Sequence, residues 1–255
     1  MPPPSRNCSA SSSELMVGER LTVLHEDEAL IIVDKPAGIH TAPLRPGEPG
    51  TLLAAVIAAF PEVAAVPGMK PSEPGLLHRL DHETSGVVVF ARTEAAFAAL
   101  RSQFASGEAH KEYRAACACP PGRAPGETFE ISSLFAPFGP GRRRVRVVEP
   151  AEKNRRLLRK AARAVYVTDA RLERVHEGRA LVEVTLQRGF RHQVRAHLSH
   201  VGLPILGDAL YGVPAPPEAP QRMYLHASGI TLVHPVGAKR LRVVSPLPDA
   251  FLAVL

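Results

Sequence analysis

Apolar runs long enough to cross a membrane are missing from this 255-residue sequence: the longest candidate, LLAAVIAAF, has nine residues, and a spanning helix needs about twenty. Cysteine is scarce, with three in the whole chain, an odd and small number that makes no disulfide framework. Cys117 and Cys119 form a C-x-C in a strand-like segment, but no second ligand pair follows, so they read as ordinary reduced residues. The opening MPPPSRNCSASSSEL has no apolar centre after its few charges and does not read as a secretory signal. These absences point to a cytoplasmic protein without a membrane partner. Also missing are G-x-G-x-x-G after a strand, G-x-x-x-x-G-K-[ST], G-x-S-x-G and H-E-x-x-H. Dinucleotide cofactors, P-loop phosphate chemistry and the commonest hydrolase elbows lose support accordingly.

Positive charge is present and regional. The formal net charge is +6, yet residues 19–100 carry 6 basic and 11 acidic side chains while residues 138–200 carry 16 basic and 6 acidic. A net +10 within 63 residues is the footprint expected of a nucleic-acid groove, the plain alternative being a solvated basic face. Eleven histidines invite a metal reading. His78 and His82 are four apart where a strand or loop is expected, a spacing that does not bring imidazoles together there. On a helix, His192 and His197 diverge, although His197 and His200 could share a face. No metal site is expected from this pattern.

Residues 1–18, rich in Pro and Ser without periodicity, are expected to be a disordered tail. From Leu21, LTVLHEDEALIIVDKPAG reads as two short strands about the turn HEDEA. TLLAAVIAAF and TEAAFAALRSQFAS read as helices capped by Thr51 and Thr93. The intervening PEVAAVPGMKPSEPG, with its prolines and glycines, is expected to hold no regular element. Strand-like segments then follow: VVVFAR, KEYRAACACP, ETFEISSLF, RRRVRVVEP, AVYVTDARLERV, ALVEVTLQ, YLHASGITLVHP and KRLRVVSPL. Arg144 and Arg146 alternating with Val145 and Val147 suggest a sheet with one face packed and one wet. A helix over FRHQVRAHLSHVG, with Gly202 as C-cap, interrupts the series, and PDAFLAVL reads as a closing helix. Strands without regular β-α alternation, no repeat and no visible break predict an α+β fold over residues 19–255. Its sheet is mixed and mainly antiparallel, with flanking helices.

The densest polar stretch is HRLDHETSG, residues 78–86, set against the apolar strand that follows. A carboxylate at the mouth of such a strand is ordinarily a turn or cap residue. Yet HRLDHETSG closely resembles the H-R-L-D-x-x-T-S-G motif of the RluA-type pseudouridine synthases. Other matches follow in that family's order: DKPAGIHTAP at 34–43, KEYRA at 111–115, GFRHQVRAHLSHVGLPILGDALYG at 189–212 and LHASGITLVHP at 225–235. The resemblance covers about residues 19–247 and implies a largely antiparallel sheet with a central RNA-binding cleft. It further implies isomerisation of uridine in structured rRNA or tRNA to pseudouridine, by base flipping and with no cofactor or metal, by a monomer.

Carried over residue by residue, the resemblance makes Asp81 the nucleophile, Arg195 its basic partner and Tyr113 the residue that stacks on the base. An isolated aspartate, with a pKa of about 3.9, is already ionised at neutral pH. The difficulty is instead desolvation under a flipped base, which a paired cation offsets. A phenol with a pKa of about 10 carries a handicap of roughly 4 kcal/mol as a general base at pH 7, so stacking is the simpler role for Tyr113. Arg79 matches the side chain that enters the RNA stack as the nucleotide flips, or else it makes a salt bridge to Glu83 or Asp208. Leu225 matches a residue that shapes the pocket, or else is plain core. His78, Thr84, His192 and Gln193 complete the expected substrate-binding set, with Thr84, Ser85 and Gly86 aiming Asp81. Lys35, Pro36 and Gly38 look structural, and Gly207 and Asp208 read as a turn.

Two departures stand out. Phe190 occupies a position where the family usually has arginine, between Arg188 and Arg191. Relatives often carry an S4-type RNA-binding module before the catalytic part, whereas only eighteen unpatterned residues precede the first strand here. RNA grip is therefore expected from RRRVR and KNRRLLRKAAR. Two rival readings are a non-catalytic RNA-binding or assembly protein using the same cleft, and a metal-dependent hydrolase, which predicts bound zinc.

Overall fold

The computed structural model describes residues 21–45, 47–149 and 151–255, so the expected tail at 1–18 lies outside the described residues. The strands about HEDEA are β1 (Thr22–Glu26) and β2 (Leu30–Lys35). Helix α1 (Leu52–Ala59) starts where the Thr51 hydroxyl accepts the Ala54 N–H at 3.2 Å. A single 3-10 turn, Pro61–Ala65, follows it. This corrects the expectation of no regular element there: Pro61 sits in the first turn, where its missing N–H costs nothing. β3 is Ser85–Ala91. Helix α2 (Glu94–Ser106) is capped by the Thr93 hydroxyl on Ala96 N–H at 3.1 Å and ends at Gly107, φ 90°.

The chain continues through β4 (His110–Ala118), β5 (Thr128–Phe138), β6 (Arg144–Val148), the one-turn α3 (Arg155–Leu158), β7 (Tyr166–His176), β8 (Arg179–Leu186), α4 (Gln193–His200), β9 (Leu225–Val233) and β10 (Arg240–Val244). The closing PDAFLAVL forms a 3-10 turn, Asp249–Val254, rather than the expected α-helix. Ten strands lie in the order β1-β2-β3-β9-β4-β8-β7-β5-β6, with β10 also on β9. Every pairing among these strands is antiparallel except β3 with β9, which meet through Ser85–His226 and Gly86–Ala227 alone. The fold is α+β, mixed and mainly antiparallel.

That short parallel junction joins the acidic N-terminal strands to the basic remainder, and glycine makes it possible. Gly86 has φ 115°, and a Cβ there would lie 2.2 Å from the Ala227 carbonyl oxygen, well inside contact distance. The close approach therefore depends on hydrogen as the side chain.

The core explains why β2 and β3 read as continuous apolar runs. Leu30, Ile32, Val87 and Val89 pack with Phe97 and Leu100 of α2, while Ile31, Val33, Val88 and Phe90 pack with Leu52 and Val56 of α1. Both faces are thus dry, unlike the one-faced sheet expected from β6, where Val145 is buried and Arg146 exposed. A further cluster fills the space between β4, β7, β8 and α4 with Ala116, Leu172, Val182 and Leu198, and Phe251 closes it edge-on against Tyr224 at 5.3 Å.

At the far end of β2 a polar clip ties the first hairpin to the end of β9. Asp27 Oδ1 accepts the N–H groups of Ala29 and Leu30, while Oδ2 meets Nε2 of His25 at 2.7 Å and of His234 at 2.8 Å. Burial alone would raise Asp27, but the Ala29 N–H and the other donors outweigh it and hold the carboxyl at about 2, against an ordinary 3.8. Burial would likewise lower His234, yet the Val236 carbonyl and Asp27 raise it above 6.5. The aspartate contribution is therefore present above pH 3.8 and lost as pH falls towards 2. The histidine contribution is complete below 6.5 and fades as pH rises through the folded value. The Tm deficit of Asp27→Asn relative to wild type, followed by circular dichroism, is expected to be widest between about pH 4 and 6.5 and to shrink on both sides. At its widest it should correspond to about 1 kcal/mol, given the partial exposure.

Candidate active site

The HRLDHETSG segment is held by its backbone, which leaves its acid free to point. Leu80 is bracketed by Thr41, whose hydroxyl donates to the Leu80 carbonyl at 2.9 Å and accepts its N–H at 3.1 Å. The Asp81 carbonyl accepts the Thr84 N–H at 3.1 Å, closing a turn. The His82 carbonyl accepts both the Gly38 N–H and Lys35 Nζ, each at 3.0 Å. Lys35 is fully buried, and its Nζ also donates to the carbonyls of Pro36 and Ile39, both at 2.9 Å. Burial pushes the ammonium down to about 7, against the pull of the Glu83 and Asp81 carboxylates. Its three donors nonetheless match three carbonyls, so Lys35 pins the DKPAG turn beneath Asp81. Its structural reading gains a specific content.

Arg195, in the first turn of α4, closes the distance from the other half of the chain. Its Nη1 donates to Asp81 Oδ2 at 2.7 Å. Its Nε and Nη2 are taken by Asp208, each at 2.7 Å, in the two-pronged geometry that fixes a guanidinium plane. Asp208 is fully buried at its side chain, and its Oδ1 also accepts the N–H groups of Leu210 and Tyr211. Burial would raise the Asp208 carboxyl, but the Arg195 bonds and these amides lower it below 3.8. Burial would lower Arg195, and the two carboxylates outweigh that and raise it. The cation is thus oriented by a buried acid and offered to a carboxylate that keeps 28 % of its side-chain surface exposed.

Tyr113 of β4 is half-buried beside this pair, packed against both the α1 cluster and the cluster that holds Leu225. Burial, reinforced by the negative charge of Asp81, raises its phenol above 10. A phenol held protonated in this way suits a stacking surface and disfavours the base role. Leu225 is buried in β9 opposite Ala115, so it supports Tyr113 from the core. His192 approaches Asp81 from the opposite side, Nε2 lying 3.8 Å from Oδ1.

Asp81, Tyr113, Arg195, His192 and Leu225 therefore come together, while other expected members of the set sit differently. Thr84 is buried and serves the turn through its N–H. Gln193 is buried too: its Nε2 donates to the Val167 carbonyl and the Thr168 hydroxyl, and its Oε1 accepts the Phe190 N–H. It organises the loop before α4 from beneath. His78 turns towards α2, stacking on Phe104 at 5.1 Å, with Nε2 accepting the Val89 N–H. Burial, with Lys111 nearby, holds this imidazole down at about 3, so it sits as a neutral packing residue. Arg79 bonds neither Glu83 nor Asp208; its partner is Glu73 at 3.0 Å, shared with Lys70. His192 precedes α4 in the left-handed conformation, φ 57°, where the sequence placed it within the helix. The nitrogens of His197 are occupied by Ser133 and Thr168, both at 2.8 Å, which removes the shared face with His200. Among the described residues, the one histidine group with metal-like spacing is the Asp27 clip, which the sequence reading did not single out.

Three further residues escaped that reading. Asp208 read as a turn residue, and only its closeness to Arg195 in the GDALYG segment could have hinted at more. Tyr211 carries no charge to mark it. Glu73, in a Pro-rich loop, gave no signal. Phe190 has a clear role as well: it stacks on Phe135 at 5.0 Å and tilts against Tyr166, filling a cluster with Val145 and Ala196.

Comparison with known proteins places this arrangement. The family described as RNA pseudouridylate synthase matches residues 29–200. The chain belongs to the RNA pseudouridylate synthase family. It is 34 % identical over 241 residues to an uncharacterized RNA pseudouridine synthase of Synechocystis, covering 91 % of this chain and 67 % of that protein. It is 32 % identical to the ribosomal large subunit pseudouridine synthase D of Pseudomonas aeruginosa, covering 92 % of this chain and 71 % of that protein. With the Xanthomonas campestris protein of that name the identity is 32 % and the shares are 90 % and 66 %. The chain spans about two thirds of the length of these relatives. The solved structure of human RNA pseudouridylate synthase domain containing 4 shares the fold, at TM-score 0.67, 24 % identity, 92 % of this chain and 91 % of that one.

In this pseudouridylate synthase fold, Asp208→Asn removes the charge that orients Arg195 while keeping shape. The change leaves the buried guanidinium with the partly exposed Asp81 as its remaining carboxylate, so the variant should lose about 3 kcal/mol, read as a lowered urea midpoint at unchanged m-value.

Proposed function

We propose that this protein is an RNA pseudouridine synthase that isomerises uridine in structured RNA, with Asp81 as nucleophile. The observation that carries the reading is the 2.7 Å contact between Asp81 Oδ2 and Arg195 Nη1, made by residues 114 apart in sequence. It resolves the desolvation problem of a carboxylate working beneath a flipped base: a guanidinium already fixed by Asp208 keeps the acid ionised when water leaves. In the isomerisation the N1–C1′ bond breaks, the base turns, and C5 bonds to C1′. The C5 proton departs and N1 gains one, so atoms balance with no redox partner or group donor. Tyr113, held protonated, supplies a stacking surface, and Leu225 backs it. Arg79, half-exposed with Glu73 as its partner, is placed to be drawn into the RNA stack.

RNA grip falls to the region around β6 and α3. The ten basic side chains from Arg142 to Arg163 make no ion pair within 4.0 Å among the described residues. Cations left unpaired are available to phosphates. Arg144 and Arg146 both lie over the Phe138 ring, at 5.2 and 4.4 Å, which holds them extended from the hairpin. We further read ribosomal RNA of the large subunit as the first substrate to test, because two of the relatives are named ribosomal large subunit pseudouridine synthase D, with transfer RNA second.

Asp81→Asn, assayed by tritium release from uridine-labelled RNA of a strain lacking the protein, should lose on the order of a thousandfold or more in rate. Full activity in a folded variant overturns the reading and leaves RNA binding without turnover. The triple variant Arg155→Ala, Arg156→Ala, Arg159→Ala should keep its fold but bind RNA more weakly. Its slope of log affinity against log salt should fall by about 2 to 3, one unit per lost phosphate contact.

A further inference from the structure

Arg195, Asp208, Tyr211 and His192 form a ring that closes on the proposed nucleophile, and the last two have no part in the reading above. Arg195 binds Asp81 Oδ2, and Asp208 binds Arg195. The same Asp208 Oδ1 accepts the Tyr211 N–H at 3.2 Å. Tyr211 carries the Arg195 guanidinium over its ring at 5.3 Å. Its hydroxyl lies 3.0 Å from His192 Nδ1, and His192 Nε2 lies 3.8 Å from Asp81 Oδ1.

We propose that Tyr211 is a positioning residue: its hydroxyl sets the His192 tautomer, so that an Nε2–H faces the Asp81 oxygen left free by Arg195. The nucleophile is thereby tied to the docking of the basic hairpin. This rests on Asp81 being the nucleophile.

The hydrogen bonds favour one direction. Val145 N–H donates to the Tyr211 oxygen at 2.6 Å, which leaves the hydroxyl its own proton to give to His192 Nδ1, 3.0 Å away. A histidine that accepts at Nδ1 carries its proton on Nε2. Burial, with Arg195 and Arg191, lowers the imidazole below its ordinary 6.5 against the opposing pull of Asp81 and Asp208, which favours the neutral form. With Arg195 on one carboxylate oxygen and an N–H aimed at the other, the carboxylate plane has one preferred orientation. The 3.8 Å gap is longer than a hydrogen bond, a looseness usual before substrate closes a site.

The link to RNA comes through β6. Among the described residues its outer edge pairs with no strand; instead Tyr211 takes the Val145 N–H, and Arg191 donates to the carbonyls of Arg142 at 2.7 Å and Arg144 at 3.3 Å. Arg144 in turn donates to the Leu210 carbonyl at 3.4 Å. The hairpin that presents unpaired arginines is therefore seated on the residues that aim His192. A displaced hairpin withdraws the Val145 N–H and releases the Tyr211 proton to other partners.

Tyr211→Phe keeps the ring and its contact with Arg195 while deleting the hydroxyl. It should lower kcat by about 10- to 100-fold, the range for groups that orient a ligand or catalytic residue from behind, with KM for RNA changed less than about threefold. His192→Asn, which tolerates the left-handed backbone, should match it, because its amide reaches only the Nδ1 position. His192→Gln, whose amide nitrogen reaches the Nε2 position, should recover part of the loss. The double variant Tyr211→Phe, His192→Asn should be no slower than His192→Asn alone. Nitrogen-15 NMR of histidine-labelled wild type should show His192 protonated at Nε2, and Tyr211→Phe should lose that preference. Tyr211→Phe with kcat within about twofold of wild type overturns the proposal, and so does a His192 protonated at Nδ1 in the folded wild type, a result independent of whether any variant folds. An active Asp81→Asn would instead bring down the nucleophile assignment on which the proposal stands.

Discussion

The Asp208–Arg195–Asp81 chain is the constraint around which the rest of the molecule is arranged. A guanidinium with 9 % of its side-chain surface exposed, between two carboxylates, is costly to desolvate and is stabilised only when its geometry is complete. Completing it requires α4, the 208–212 turn and the loop before β3 to meet at one point. Gln193 ties the start of α4 to the Val167 carbonyl and the Thr168 hydroxyl, and the other two segments have anchors of their own. Buried Asp208 takes two backbone amides, Lys35 takes three carbonyls, and Thr41 brackets Leu80. Each of these anchors fixes a segment that carries one member of the pair or its neighbour.

Much of this was legible in the sequence because local chemistry and tertiary demand agree. Thr51 and Thr93 cap helices where their spacing says they should, and Gly202 follows α4 with φ 78°. The runs around HEDEA and the alternation in β6 gave strands. The motif order brought Asp81, Tyr113 and Arg195 forward as a set, and the structure gathers them. What stayed hidden are properties of pairing across distance. Nothing local says that β2 and β3 are covered on both faces, or that Arg79 meets Glu73. His192 looked helical because its neighbours are; its left-handed backbone is imposed by the turn that delivers Gln193 to the Val167 carbonyl. Phe190, which stands where the family usually has arginine, is an aromatic plug beneath the hairpin, a role visible only once Phe135 and Tyr166 stand beside it.

The two halves of the chain also divide the labour by charge. The acidic N-terminal part carries Asp81, the proposed nucleophile, in the loop before β3, and the basic remainder carries the arginines that would face phosphate. Their sheet connection is a parallel pairing two residues long, at Gly86, directly after the turn that aims Asp81. The place where the halves touch is thus the place where acid and cation must be held to within a fraction of an ångström, and a glycine without side-chain bulk is what lets the strands close.

The seating of β6 has a consequence for how such an enzyme can change its targets. The hairpin's hydrogen bonds to Tyr211 of the ring and to Arg191 beside it use its own main chain, the Val145 N–H and the carbonyls of Arg142 and Arg144. Every amino acid but proline offers those same groups. The outward side chains can therefore be rewritten, in evolution or by engineering, without altering the atoms that align the nucleophile. Recognition and chemistry are joined at the backbone and kept separable in the side chains, so a new RNA preference requires no new active site.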